Sequence, residues 1–171
     1  SALSSLVAAD VDLNGTDDLL TLNGGRLAAH TSSGKLLWQT PSLGLTYISG
    51  VGDLDGDGAL DVVAVAGTAV YLLRLANGTA WWSTPPDDFG GIALAAVADF
   101  DGDGLLDLAV GDNAGPGAAF SSAIAIWRFA AGKPVLLAKT AMPGPANHFP
   151  YGGGHQVLDV DGDEVADLLV A

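Results

Sequence analysis

The chain has 171 residues, a mass of 17.1 kDa and a formal charge of −14, from 6 Lys plus Arg against 20 acids. With 49% hydrophobic residues and a mean hydropathy of +0.38 it is too apolar for a disordered acidic tail, yet no run approaches the ~18 apolar residues of a membrane span. The negative balance argues against nucleic acid and anionic membrane as partners, since both need cationic surface. The absence of cysteine removes disulfides, thiolate metal sites and cysteine nucleophiles.

In chain order, the opening Ser1-Ala2-Leu3-Ser4 carries no basic stretch of the kind that begins a secretory signal, as expected of a processed chain or an excised piece. A first apolar run at 5–9 leads into Asp10-Val11-Asp12-Leu13-Asn14-Gly15-Thr16-Asp17-Asp18, and short strands are predicted at 19–22, 26–29 and 34–39. The same order then recurs. A run at 47–51 precedes Asp53-Leu54-Asp55-Gly56-Asp57-Gly58-Ala59-Leu60-Asp61, with strands at 62–65, 70–73 and 78–83. A run at 93–97 precedes Asp99-Phe100-Asp101-Gly102-Asp103-Gly104-Leu105-Leu106-Asp107, with strands at 108–110, 124–127 and 132–137. A run at 155–158 precedes Asp159-Val160-Asp161-Gly162-Asp163-Glu164-Val165-Ala166-Asp167, and the strand at 168–170 follows. The four acidic loops start at 10, 53, 99 and 159, a spacing typical of propeller blades or solenoid coils. No segment keeps a 3.6-residue period. Each unit therefore holds four short strands, which predicts an all-β chain of β-propeller blades, each a four-stranded antiparallel sheet.

Nineteen of the acids are Asp, and 15 of those fall at positions 1, 3, 5 and 9 of these loops. Carboxylates so crowded repel one another unless a cation lies between them. One Asp-Gly cluster reads equally well as a solvated turn; four in one register read as metal loops. Calcium suits them, being a hard ion that takes six to eight oxygens in flexible loops, whereas magnesium demands a stricter octahedron. The expected ligands are the side chains of Asp10, Asp12, Asn14 and Asp18; Asp53, Asp55, Asp57 and Asp61; Asp99, Asp101, Asp103 and Asp107; and Asp159, Asp161, Asp163 and Asp167. The backbone carbonyls at position 7 (Thr16, Ala59, Leu105 and Val165) would complete each set. Gly56, Gly102 and Gly162, with Gly15 one position off, ease the curl of the chain. About four Ca²⁺ would bring the charge from −14 to about −6. An EF-hand would need Glu at position 12, where this sequence has Thr21, Ala64, Val110 and Val170.

The segment 89–111, from Phe89-Gly90-Gly91 through the third loop to Gly111, resembles the FG-GAP repeat of integrin α-subunit propellers and the related VCBS-type repeats of surface proteins. Tyr151-Gly152-Gly153 is a fainter echo before the fourth loop. The resemblance implies structural Ca²⁺ on one rim of a propeller. The Gly34-Lys35-Leu36-Leu37-Trp38 turn also resembles the tryptophan-docking repeat of quinoprotein dehydrogenases, but Trp38, Trp81 and Trp82 read better as apolar wedges between blades.

Three full periods and part of a fourth predict one repeat domain over 1–171 of about three and a half to four blades, belonging to a larger propeller completed by further sequence or other chains, with a compact four-bladed ring closed by joining the two termini as the alternative. His148, Phe149, Tyr151 and His155, in or beside the long loop of the third period, are candidates for a recognition site, with loop packing as the plainer reading. No nucleophile elbow, phosphate loop or isolated acid pair supports catalysis. Asn77-Gly78-Thr79 offers a glycosylation acceptor in a turn, better placed than Asn14, which is an expected ligand. Millimolar calcium outside cells favours an extracellular or cell-surface location. The expectation is a calcium-stabilised structural or adhesive module binding protein or glycan; the alternative is the non-catalytic propeller of a secreted enzyme, or a lectin.

Overall fold

The computed structural model describes residues 5–85, 89–112, 123–141 and 155–170. Its strands are β1 (Ser5–Ala9), β2 (Asp18–Asn23), β3 (Arg26–His30), β4 (Leu36–Gln39), β5 (Tyr47–Gly52), β6 (Asp61–Ala66), β7 (Ala69–Arg74), β8 (Ala80–Ser83), β9 (Ile92–Ala98), β10 (Asp107–Asp112), β11 (Ala123–Ala130), β12 (Lys133–Ala141), β13 (His155–Leu158) and β14 (Asp167–Val170). Every predicted strand is present within a few residues of its expected bounds. They form three four-stranded sheets, β1 to β4, β5 to β8 and β9 to β12, plus the pair β13–β14, with neighbours in space always neighbours in sequence. Each is an antiparallel up-and-down sheet, the blade of a β-propeller. We call the three complete sheets blades one to three.

The strands alternate or not according to what covers them. In β2, Leu20 and Leu22 are buried while Leu19 is exposed, the pattern of a half-covered strand. β6 and β10 have continuous apolar sequences, Val62-Val63-Ala64-Val65 and Leu108-Ala109-Val110, and are buried on both faces.

The chain forms two compact units: residues 1–51 with 60–84, and residues 52–59 with 85–171. The core of the first joins its two blades through Leu20, Leu22, Leu27, Val62, Ala64 and Leu73. At Gly78 a Cβ would lie 2.6 Å from Trp38 Cε3, so the turn between β7 and β8 needs glycine beneath the indole. Trp38 is thus the wedge between blades that its size predicts. In the second unit Phe89 is buried edge-on against Trp127, with ring centroids 5.8 Å apart. The buried Asp112 accepts hydrogen bonds from Gly90 N and Gly91 N, each 3.1 Å, and so ties the Phe-Gly-Gly segment to the end of β10. Burial pushes the Asp112 carboxyl above its usual value despite these two amides.

The third and fourth strands of every complete blade pair with the same irregularity. The register skips one residue in each: Leu37 in blade one, Trp81 in blade two and Leu137 in blade three. The skipped residue is the extra one of a β-bulge, whose side chain is re-aimed.

Candidate metal centre

Each acidic loop joins the first and second strands of a blade or, for the fourth, β13 to β14. In all four, positions 4 and 6 have positive φ: Leu13 (58°) and Gly15 (84°), Gly56 (73°) and Gly58 (84°), Gly102 (75°) and Gly104 (86°), Gly162 (84°) and Glu164 (69°). Gly15 therefore stands in its proper slot, position 6. It is Leu13 and Glu164 that occupy left-handed backbone without being glycine, at a cost of ~1 kcal/mol each. The curl turns backbone amides inward. In loops two, three and four the position-1 carboxylate is gripped by the amides of positions 4 and 6: Asp53 by Gly56 and Gly58, Asp99 by Gly102 and Gly104, Asp159 by Gly162 and Glu164, at 2.6–3.0 Å. In loop one Asp10 is held by Asn14 N and Gly15 N instead. The position-7 amide donates to the position-5 side chain in every copy, Thr16 to Asn14, Ala59 to Asp57, Leu105 to Asp103 and Val165 to Asp163, at 2.8–2.9 Å.

These grips bring the expected carboxylates together. Ligand atoms of Asp10, Asp12 and Asp18 lie within 4.8 Å of one another, as do those of Asp99, Asp101 and Asp107, and of Asp159, Asp161 and Asp167. In loops one, three and four the triad is therefore positions 1, 3 and 9, with Asp103 and Asp163 outside it; neither Asp17 nor Glu164 takes part. In loop two the triad is Asp53, Asp55 and Asp57, all in the second unit. Asp61, in the first unit, is wholly buried and accepts from Arg74 NH1 and Trp81 Nε1 on the same Oδ1, each 3.0 Å. The Arg74 guanidinium lies 4.7 Å above the Trp81 ring. Trp81, the bulge residue, thus serves its own blade.

Electrostatics set loop three apart. Gly104 and Gly102 amides hold the Asp99 carboxyl below its usual value although desolvation pushes the other way. Asp107 is pushed up to about 6, by desolvation first and by the charges of Asp101, Asp103 and Asp99. Its Oδ2 accepts from Phe100 N at 2.9 Å, but its Oδ1 is buried with no hydrogen-bond partner among the described residues. A buried carboxylate oxygen without a donor costs on the order of 1–3 kcal/mol, and a cation held by the same triad would remove that cost. The donor set is all oxygen, hard and flexible, and so fits calcium. Arg128 NH1 touches Asp101 Oδ2 at 2.9 Å and Asp103 Oδ2 at 3.1 Å. Loop four is exposed, and the Gly162 and Glu164 amides hold its Asp159 below the usual range.

The spacing rule pointed to the carboxylates but not to Arg74, Arg128, Trp81 or Asp112. Two arginines opposite two acidic loops were the available signal. Of the other candidates, Asn77 is exposed in the turn after β7, and His155 lies in β13. His148, Phe149, Tyr151, Gly152 and Gly153 fall outside the described residues.

Residues 53–110 match the family model described as FG-GAP-like repeat, and the chain carries an FG-GAP-type repeat there. A search of curated proteins finds no match. Among solved structures the chain is similar to the Bacillus licheniformis rhamnogalacturonan lyase PL11 (TM-score 0.69, 15% identity, 98% of this chain and 39% of that one). It is also similar to the exotype rhamnogalacturonan lyase YesX (TM-score 0.65, 16% identity, 99% and 38%). At such identity the likeness shows the fold. The chain spans about two fifths of the length of these lyases.

Proposed function

We propose that this chain is a calcium-stabilised propeller module that acts outside the cell or at its surface, as a structural or adhesive element of a larger propeller, without catalytic chemistry of its own. The observation that carries the calcium reading is the Oδ1 of Asp107, buried and without a donor beside Asp99 and Asp101. Bound calcium would neutralise the clustered carboxylates of Asp10, Asp12 and Asp18, of Asp53, Asp55 and Asp57, of Asp99, Asp101 and Asp107, and of Asp159, Asp161 and Asp167. The grip of inward amides on each position-1 carboxylate orients it beforehand, so ligation has less chain to order. Weak oxygen sites of this kind fill at extracellular calcium levels, which supports the location. Isothermal titration with calcium chloride tests the reading. About four sites are expected, and heats no greater than those of dilution would refute it.

A second reading rests on the similar lyases. On it the chain is the non-catalytic part of a polysaccharide-acting enzyme, or a lectin. Binding to rhamnogalacturonan by the isolated chain, without cleavage, would favour it over a protein-binding module; cleavage would contradict the absence of catalysis.

A further inference from the structure

We propose that Arg128 is a tethered counter-ion of loop three, occupying the Oδ2 of Asp101, a member of the triad, and that of Asp103 beside it, so that loop three fills at higher calcium concentration than loop four. The inference rests on the calcium reading above and adds an order of filling to it. In both loops the Oδ1 atoms of positions 3 and 5 accept backbone amides: Asp101 from Asp103 N and Asp103 from Leu105 N, Asp161 from Asp163 N and Asp163 from Val165 N. The Oδ2 atoms of these four residues accept no backbone amide among the described residues, so both of their lone pairs are open to a cation. In loop four those of Asp161 and Asp163 take no donor among the described residues; in loop three a single guanidinium nitrogen bridges both. The bulge explains why this arginine is at liberty to do so. Arg74 lies opposite Asp61, and Arg128 follows Trp127, which lies opposite Leu108, so the two arginines hold equivalent positions. The re-aimed bulge residue beside Arg74 is Trp81, whose ring carries the guanidinium and whose N–H shares its acceptor. Beside Arg128 it is Leu137, which offers neither. Arg128 therefore turns to the loop. Its grip uses one nitrogen rather than a two-nitrogen fork, and its Nε is buried without a partner among the described residues. Calcium can displace such a hold, but must compete with it.

The test is a calcium chloride titration of the ¹⁵N-labelled chain, following the amides of Gly102 and Gly104 for loop three and Gly162 for loop four. In the unaltered protein the loop-three midpoint is expected above that of loop four. Arg128→Gln should lower the loop-three midpoint roughly 3- to 10-fold, the size of one or two partly exposed ion pairs, and leave loop four in place. An unchanged or raised loop-three midpoint in Arg128→Gln, with loop four filling normally, overturns the counter-ion. If no loop glycine responds to calcium in either protein, the calcium reading fails and takes this inference with it. Should Arg128→Gln not fold, the unaltered protein still decides, because loop three filling at or before loop four overturns the proposal.

Discussion

Blades two and three place an aspartate at the same loop position and an arginine at the same cross-strand position, yet they satisfy the charge in opposite ways. Asp61 is closed off inside its blade by Arg74 and Trp81. Asp107 keeps a bare buried oxygen while its arginine reaches forward to Asp101 and Asp103. The difference comes down to the bulge residue, Trp81 or Leu137. Blade two answers its buried charge with its own residues, and blade three leaves Asp107 Oδ1 without a donor among the described residues.

The comparison breaks most sharply under chelation. A site bound only in the folded state adds ~2.7 kcal/mol at a hundredfold excess of calcium over its Kd. Excess chelator should therefore lower the melting temperature by many degrees. Amide exchange should show the loss in β9 and β10 before β6 and β7; equal melting with and without chelator would end the calcium reading.

Exchange of the two equivalent aspartates should give opposite signs in chelator. Asp61→Asn strips Arg74 of its buried partner and should cost about 2–3 kcal/mol by urea denaturation. Asp107→Asn removes an unsatisfied charge and should be neutral or stabilising without metal, but destabilising in millimolar calcium. Two losses of similar size in chelator would mean that Asp107 is as well satisfied as Asp61.

The pH dependence follows from the same carboxyl. Its folded value, about 6, lies above the ordinary 3.8, so the folded chain binds a proton that the unfolded chain releases. Without metal, that stabilisation is full below about 3.8 and is lost as pH rises through about 6. Melting in chelator should thus show a component falling from pH 4 to 6 that Asp107→Asn abolishes. In calcium, which favours the ionised carboxyl, it should vanish or reverse.

Smaller effects refine the picture. Trp81→Leu, which copies blade three into blade two, should cost about 1–3 kcal/mol by leaving Asp61 short of a donor and Arg74 without its ring. Glu164→Gly should stabilise by up to ~1 kcal/mol by relieving left-handed backbone, whereas Asp17→Ala, on an exposed residue outside the triad, should stay within ~0.5 kcal/mol. Thermal melts of the two variants would check both.

Much of this was legible in the chain itself. Runs such as Val62-Val63-Ala64-Val65 between Asp-Gly loops can be little other than buried strands, and the recurrence of positions 1, 3, 5 and 9 marks the carboxylates. The partition within each loop was not legible. Asp61, Asp101 and Asp103 are met by Arg74, Trp81 and Arg128, which lie 13 to 27 residues from the aspartates they touch. A one-residue bulge sets which of them can reach. Periodicity reports the faces of strands, but it is silent on where a single skipped residue points.

The position-4 glycines bear on how such repeats can be exchanged. A Cβ at Gly56 would meet Leu105, position 7 of the following loop, at 3.3 Å, and one at Gly102 would meet Val165, position 7 of the loop after that, at 3.1 Å. Loops two and three thus each carry a notch for a side chain of the next, and the fit is directional. A repeat with leucine at position 4, as loop one has in Leu13, would crowd the leucine or valine at position 7 of a repeat spliced after it unless that side chain gave way. Duplication or shuffling of these units is therefore constrained pair by pair, at the seam between loops, even where every unit could fold the same way.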